Sequence, residues 1–137
     1  MLFQLPPGYY YIGDPYLFLS PEILDGYFNG TVTPGFYSYK SQPFFIDCTG
    51  FDEGSFLDID QVEYIIYNGL LGVFPCGLCR EACDTLGRLG RVMYYAVPFT
   101  VESNGDGYFK LSCYDYEMVL DTQMNDFSSG SDSGRSV

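Results

Sequence analysis

Short aromatic runs separated by turn-forming residues are the feature that most constrains the fold of this chain. Asn68-Gly69 lies between two such runs, Val62–Tyr67 and Leu70–Phe74. An Asn-Gly pair between apolar runs favours a type I′ turn, because both turn positions take positive φ. This segment therefore predicts a β-hairpin.

A second predicted hairpin reverses at residues 104–107, between strands at 97–103 and 108–119. Tyr and Phe make up most of the 19% aromatic content, and both residues favour strands. The sequence therefore predicts an all-β fold, a single-domain antiparallel β-barrel or sandwich of about seven to nine short strands.

The chain of 137 residues is long enough for one compact core. We expect a β domain over residues 1–123 and a flexible, acidic, Ser/Gly-rich tail over residues 124–137, since the tail has too little apolar surface to fold alone. One short helix is predicted near residues 75–89. There Cys76, Cys79, Cys83 and Leu86 recur at helical spacing and form one apolar stripe.

The net charge of −12 disfavours binding to nucleic-acid phosphates and to anionic lipid. The acidity serves either solubility or contact with a basic partner. No apolar run reaches the length of a membrane span, and the first residues lack the pattern of a signal peptide. We therefore expect no membrane span, a cytosolic origin and reduced cysteines.

The cysteines allow three interpretations. Cys76-Gly77-Leu78-Cys79 provides two of the four ligands of a zinc site, and Cys83 follows on the same stripe. Redox chemistry is the second interpretation and core packing the third. The stripe faces the predicted core and the chain has no His, so core packing is favoured, with Cys76, Cys79 and Cys83 kept as weak metal candidates. No cofactor is predicted.

Carboxylates crowd one stretch of the chain and include Asp47, Asp52, Glu53, Asp58 and Asp60. Two of them could serve as acid and base of a hydrolase, and calcium could bind at Asp52-Glu53 or at Asn104-Asp106. Solvated turn carboxylates are the favoured interpretation. Without a His, a nucleophile motif or a phosphate-binding loop, the sequence predicts no catalytic residues and a protein that is not an enzyme.

Tyrosines on the predicted strands are candidates for contact with a partner. Consecutive strand residues point to opposite faces, so some of these rings must lie on an outer face, where Tyr is enriched in interfaces. The alternative is that the outer rings cover a second layer of the same fold. The partner-contact candidates are Tyr9, Tyr11, Tyr16, Tyr37, Tyr39, Tyr94 and Tyr108.

Three segments of the chain carry a resemblance: Gly8–Tyr16, which includes Gly13-Asp14-Pro15-Tyr16, Thr49–Phe56 and Ile66–Pro75. They resemble a family of small, mostly uncharacterised β-proteins of bacteria, phages and large DNA viruses, which carry a Gly-Asp-Pro-Cys-Tyr box. Tyr16 follows Pro15 directly, so the cysteine of the box is missing here. The resemblance implies a compact β fold, and its box residues in this chain are Gly13, Asp14, Pro15, Gly69, Gly72 and Pro75.

We expect a structural or interaction protein, and the viral distribution of that family favours a minor capsid or cement component in a virion. Its partners would be other protein subunits, including a major capsid protein. The alternative is a cytoplasmic β-barrel that binds a small ligand or ion, and a carboxylate-based hydrolase comes third.

Overall fold

The computed structural model describes residues 2–79, 89–114 and 116–124, which form eleven β-strands and three short helical segments. The strands are β1 (Leu2–Leu5), β2 (Gly8–Gly13), β3 (Gly35–Tyr39), β4 (Gln42–Cys48), β5 (Gly54–Leu57), β6 (Glu63–Ile66), β7 (Leu70–Pro75), β8 (Arg91–Tyr95), β9 (Phe99–Ser103), β10 (Tyr108–Cys113) and β11 (Tyr116–Asp121). The helical segments are α1 (Pro15–Phe18), a π-helical segment (Glu22–Tyr27) and a 3₁₀ turn (Cys76–Leu78).

All strand pairs are antiparallel and form three sheets. The four-stranded sheet has the order β1-β9-β10-β11, the five-stranded sheet has the order β3-β4-β7-β2-β8, and β5 pairs with β6. The all-β prediction is confirmed. Of its two forms the sandwich fits, because the strands in the described ranges do not close into a barrel.

The main core lies between the two larger sheets. Tyr10, Ile12 and Val73 line the inner face of the five-stranded sheet, and Phe99 and Phe109 oppose them from the four-stranded sheet. Each of these side chains is almost completely buried, so removal of apolar area from water holds the two sheets together.

A second apolar cluster covers the other face of the five-stranded sheet. Tyr11, Phe44 and Phe74 point to this face and pack under Phe18 and Ile23 from the helical segments after β2. The five-stranded sheet is therefore buried on both faces. This explains why β7 is apolar at consecutive positions and not at alternate ones.

The predicted hairpin at Asn68-Gly69 is wrong. β6 pairs with β5, whereas β7 pairs with β4 and β2, so this turn joins two different sheets. Gly69 has a positive φ of 73°, but Asn68 does not, and a type I′ turn needs both. The turn's backbone is held by Asp14, which accepts from the N–H of Tyr67, and by Thr49, which donates to the carbonyl of Gly69.

The second predicted hairpin is confirmed at its turn. β9 and β10 pair directly, and the Asn104 side chain accepts from the N–H groups of Asp106 and Tyr108. The predicted strand at 108–119 is wrong in its length. It is broken at Tyr114, whose φ of 55° reverses the chain into β11.

The helix predicted near residues 75–89 does not begin where expected. Pro75 is the last residue of β7, and Cys76–Leu78 is a 3₁₀ turn, after which Cys79 forms a β-bridge with Leu19. Residues 80–88 lie outside the described residues, as does the tail beyond residue 124.

Candidate partner-binding groove

A groove of about 450 Å³ opens at the ends of the inner strands of the five-stranded sheet. It lies where β4 and β2 begin and β7 ends, and these three strands are adjacent in the sheet. The lining residues are Pro6, Pro7, Gly8, Tyr9, Tyr10, Ser41, Gln42, Pro43, Pro75, Cys76 and Gly77.

Two local features set the walls of the groove. The Tyr10 hydroxyl donates to the carbonyl of Pro6 at 2.7 Å, which fixes the link between β1 and β2. Burial raises the pKa of Tyr10 to about 12. On the opposite wall, Lys40 and Ser41 take φ values of 50° and 66° in the turn between β3 and β4. That tight turn places Gln42 at the rim.

Among the residues that the structure describes, the lining of the groove includes no Asp, Glu, Lys or Arg, although the chain has a net charge of −12. The groove is thus a neutral, largely apolar surface on an acidic protein. Such a site favours an occupant that is apolar where it enters the groove, with any positive charge outside it.

Tyr9 and Tyr94 form an exposed aromatic pair beside the groove. They are Cα partners on β2 and β8, and their ring centroids are 4.7 Å apart with the planes tilted by 45°. Tyr9 is 60% exposed and Tyr94 is 59% exposed. Both were predicted as partner contacts, and the structure brings them together. An exposed pair of large, rigid rings is a surface from which a partner can remove water.

Tyr11 is wrong as a partner contact, because it is completely buried in the second apolar cluster. Its ring packs against Phe18 at a centroid distance of 4.4 Å, and burial raises the pKa of its hydroxyl. Tyr9 points to the same face of the sheet, so the two tyrosines differ only in whether the helical segments cover their rings. The helical segments reach Tyr11 and stop short of Tyr9.

Three other candidates also contact the helical layer and its following loop. The Tyr16 hydroxyl accepts from the N–H of Val32 at 2.8 Å, and the Tyr37 hydroxyl donates to the carbonyl of Thr33 at 2.7 Å. Tyr39 bonds the exposed carboxylate of Glu22, which raises the pKa of Tyr39. These rings hold the second layer in place, as the alternative interpretation expected.

The last candidate, Tyr108, is half-buried on β10. Its neighbour Phe109 points into the main core, so alternation places Tyr108 on the outer face of the four-stranded sheet. It therefore lies on the opposite side of the sandwich from the groove.

Five of the six box residues lie around one corner of the fold, whereas Pro75 lies at the far end of β7, where it pairs with Tyr10. Asp14 is completely buried, and its carboxylate accepts from the N–H of Tyr16 at 2.9 Å and of Tyr67 at 2.8 Å. The first bond caps α1, whose first residue is Pro15. The second joins this corner to the Asn68-Gly69 turn. Burial raises the pKa of Asp14, and the backbone N–H bonds partly oppose that rise.

The glycines of the box allow close packing at the same corner. Gly13 and Gly72 are Cα partners in the sheet. A Cβ at Gly72 would clash with the ring of Phe74, and a Cβ at Gly13 would lie 2.5 Å from the hydroxyl of Tyr11. The box residues at this corner therefore have structural roles, and Pro75 alone also lines the groove.

The cysteine candidates pack on the second apolar cluster. Cys76 and Cys79 are partly buried against it, which agrees with the core-packing interpretation, while Cys83 lies outside the described residues. Within residues 2–79, 89–114 and 116–124, no three His, Cys, Asp or Glu side chains are grouped so that they could hold a metal ion.

Two of the carboxylates, Asp58 and Asp60, share one arginine. Asp58 is completely buried and accepts from Arg91 Nη1 at 2.8 Å and from the Tyr64 hydroxyl at 2.6 Å. Asp60 accepts from the same Arg91 nitrogen at 2.9 Å and from the Tyr116 hydroxyl at 2.6 Å. This network ties the β5–β6 loop to β8 and β11. The interpretation of these two groups as solvated turn carboxylates is wrong for Asp58.

The other carboxylates also divide into buried and exposed groups. Asp47 is buried, accepts from the hydroxyl of Ser103, and accepts from the N–H of Cys48 at 2.8 Å. Asp52 and Glu53 lie exposed in the loop before β5. The buried carboxylates thus hold strands together, and the exposed ones lie apart from them.

Comparison of the chain with protein-family models, with curated proteins and with solved structures gives no match. The resemblance to the box family stays a prediction. None of the helices in the described ranges has both the length and the apolar character needed to cross a membrane.

The sequence interpretation did not identify the groove. Its prolines come from three separated parts of the chain, and only the order β4-β7-β2 brings them together. One local signal was present: Pro6-Pro7 precedes the exposed Tyr9, and this combination of rigid rings is common in peptide-binding surfaces.

Proposed function

We propose that this protein is a non-enzymatic interaction protein that docks onto larger protein subunits. The observation that carries this proposal is the exposed Tyr9–Tyr94 pair beside a neutral groove on an otherwise acidic protein. Interfaces concentrate aromatic side chains and deplete charge at their centre, and both features occur together here.

The setting that we propose is a virus or phage particle, with the protein as a minor capsid or cement component between major capsid subunits. The resemblance to the box family supports this setting. The net charge of −12 supports a partner with basic patches, because opposite charge speeds and orients docking. The structural use of Asp47 and Asp58 supports a role without catalysis.

The first experiment is mass spectrometry of purified, nuclease-treated particles of the virus or phage that encodes this chain. We expect the protein in a fixed ratio to the major capsid subunit. Its absence from intact particles would contradict the virion setting.

A second experiment tests the docking surface itself. A photo-crosslinking amino acid replaces Tyr9 in one variant and Tyr67 in another, since Tyr67 is 54% exposed but lies outside the groove. We expect a specific crosslink to a partner subunit from position 9 and none from position 67. Equal labelling from both positions would contradict docking through this face.

A second function is favoured by one observation, the volume of the groove. About 450 Å³ lies within the range of small-ligand sites, which span roughly 300–1,000 Å³. In that case the protein would bind a small, mainly apolar molecule at the ends of strands β4, β7 and β2. Titration with uncharged aromatic fragments, followed by NMR shifts of Gly8 and Gly77, tests it.

A further inference from the structure

The segment after β7 brings two thiols to one turn. Cys76 begins the 3₁₀ turn Cys76–Leu78, and Cys79 follows that turn directly. We propose that these two cysteines form a reversible redox site, whose thiols close to an intramolecular disulfide when a small-molecule disulfide oxidises them. This site is separate from the docking function proposed above and does not depend on it.

The turn holds the two cysteines within the range of a disulfide. The N–H of Cys79 donates to the carbonyl of Cys76 at 3.0 Å, which closes a four-residue turn. In such a turn the first and fourth Cα atoms lie less than about 7 Å apart, and side chains three residues apart in a 3₁₀ turn lie above one another. Disulfides usually join cysteines whose Cα atoms are about 4.4–6.8 Å apart. The backbone therefore already has the spacing that a disulfide needs.

The two side chains also lie on the same side of the turn. Both cysteines pack against the second apolar cluster. The Cys79 thiol donates to the carbonyl of Pro75 at 3.8 Å, and Pro75 is bonded directly to Cys76. The Cys79 sulfur therefore points back towards the start of the turn. Closure of the disulfide requires rotation of side chains and little change in the backbone.

Backbone bonds to a neighbouring segment hold the turn in place. Cys79 forms a β-bridge with Leu19, and the N–H of Ser20 donates to the carbonyl of Leu78 at 3.0 Å. A turn that is fixed in this way keeps the two thiols together before they react. Each sulfur thus meets the other at a high effective concentration.

The groove gives a small reagent access to the pair. Cys76 lines the groove, and both cysteines are partly exposed. The volume of about 450 Å³ lies within the range of sites for small molecules. We therefore expect Cys76 to react first with the reagent and Cys79 to resolve the product.

The chemistry of the pair needs only two sulfurs. Structural zinc takes four ligands, and no group of three or more His, Cys, Asp or Glu side chains is placed to hold a metal ion in the part of the chain that the structure describes. Two other cysteines provide internal controls, since Cys48 ends β4 and Cys113 ends β10, in different sheets.

The reaction consists of two thiol–disulfide exchanges, written here for oxidised glutathione. The Cys76 thiolate attacks one sulfur of glutathione disulfide, which breaks its S–S bond, forms a mixed disulfide at Cys76 and releases one glutathione. The Cys79 thiolate then attacks the Cys76 sulfur, and the second glutathione leaves. The two cysteines lose two electrons, glutathione disulfide gains them, and the two thiol protons pass to the released glutathiones.

The test uses the full chain in buffers with different ratios of reduced to oxidised glutathione. Thiols are blocked with N-ethylmaleimide after an acid quench, disulfides are then reduced and labelled with iodoacetamide, and mass spectrometry locates each label. We expect Cys76 and Cys79 to change label together at one glutathione ratio, while Cys48 and Cys113 do not change with them. Addition of dithiothreitol should return both cysteines to the thiol form.

Two serine variants test the order of the steps. Cys79→Ser removes the resolving sulfur, so the mixed disulfide at Cys76 should increase by at least about tenfold over the wild type. The matched control Cys48→Ser should leave the midpoint ratio of the pair unchanged. Circular dichroism compares the fold of both variants with that of the wild type, and the labelling of the wild type tests the pair without any variant.

Change of Cys76 and Cys79 at different glutathione ratios would overturn the inference, as would the absence of their disulfide in excess oxidised glutathione. A disulfide from either of them to Cys48, Cys83 or Cys113 would also overturn it. One zinc ion per chain, bound by the reduced protein and lost when Cys76 and Cys79 are both replaced by serine, would assign the cysteines to a metal site instead.

Discussion

Asp14 and Asp58 are both completely buried, yet the fold stabilises their carboxylates in different ways. Asp58 faces a guanidinium, a phenol and two backbone N–H groups, from Arg91, Tyr64, Asp60 and Val62. Asp14 accepts only backbone N–H groups from the described residues. Removing the cation from a buried ion pair leaves an unpaired buried charge. At Asp14 no cation is present in the described residues, and the backbone N–H bonds only partly oppose the desolvation that favours protonation.

The difference follows from the position of each residue. Asp58 lies in the loop between β5 and β6, and Arg91 begins β8, an edge strand of the five-stranded sheet. The ion pair therefore joins parts of the fold that share few backbone bonds. Asp14 lies at a corner where the N–H of Tyr16 in α1 and the N–H of Tyr67 beside the Asn68-Gly69 turn both point inward. Its carboxylate is therefore bound without a cation.

The largest expected effect on stability comes from removing Arg91, the cation beside Asp58. Arg91→Met should lower the free energy of unfolding by about 3–5 kcal/mol, because Asp58 is left as an uncompensated buried charge. Urea denaturation followed by tyrosine fluorescence measures it.

The matched control is Lys110→Met. Lys110 lies on the outer face of the four-stranded sheet, 3.7 Å from both Glu102 and Glu117, in partly exposed pairs. Its loss should change stability by less than about 1 kcal/mol. Adding Asp58→Asn to Arg91→Met should recover part of the loss. Equal effects of Arg91→Met and Lys110→Met would show that the buried pair contributes no more to stability than the partly exposed pairs of Lys110.

Asp14→Asn tests how much the backbone N–H bonds to the buried Asp14 carboxylate contribute to stability. The carboxylate uses one oxygen for the N–H of Tyr16 and the other for the N–H of Tyr67. An asparagine has one acceptor oxygen, so its NH₂ must face one of these donors. We expect a loss of about 1–3 kcal/mol in the free energy of unfolding at neutral pH.

The exposed Asp25 on the π-helical segment provides the control, and Asp25→Asn should have little effect. The urea midpoints of both variants are compared with that of the wild type. A loss at Asp14 no larger than the loss at Asp25 would show that the corner does not depend on its carboxylate.

These two sites also show what a sequence can predict. The bend at Gly13-Asp14-Pro15 could be predicted, because a residue before proline is extended and Asp favours turns and caps. The partner of that carboxylate at Tyr67 could not, because it depends on the packing of β2 beside β7. The same holds for Asp58 and Arg91, which are far apart in the sequence.

The groove and its tyrosines follow the same rule. Strand alternation predicted that some consecutive tyrosines face outward, and Tyr9 and Tyr94 do so. It could not distinguish Tyr9 from Tyr11, which share a face, because only the helical layer decides which of them is covered. The break at Tyr114 was missed because no glycine or proline marks it.

The pH dependence of stability provides the finest test of the comparison. Burial raises the pKa of Asp14 above 3.8, so the folded state holds this proton after the unfolded state has lost it. The contribution of Asp14 to stability is therefore greatest below 3.8 and falls as pH rises through its folded pKa.

Asp60 has the opposite sign. Its bonds to Tyr116 and Arg91 lower its pKa below 3.8, so the stability it contributes is present above 3.8 and is lost as pH falls through the lower value. The stability that Asp14 contributes is therefore greatest below pH 3.8, whereas the stability that Asp60 contributes is present above pH 3.8.

We expect the stability difference between the wild type and Asp14→Asn to shrink as pH rises from 3.8 towards neutral, with a slope of at most about 1.4 kcal/mol per pH unit. Urea denaturation of the wild type and of Asp14→Asn at intervals between pH 3 and pH 7 measures this difference. A difference that grows with pH would mean that the amides at Asp14 stabilise the anion as strongly as Arg91 stabilises Asp58, and the contrast between the two sites would disappear.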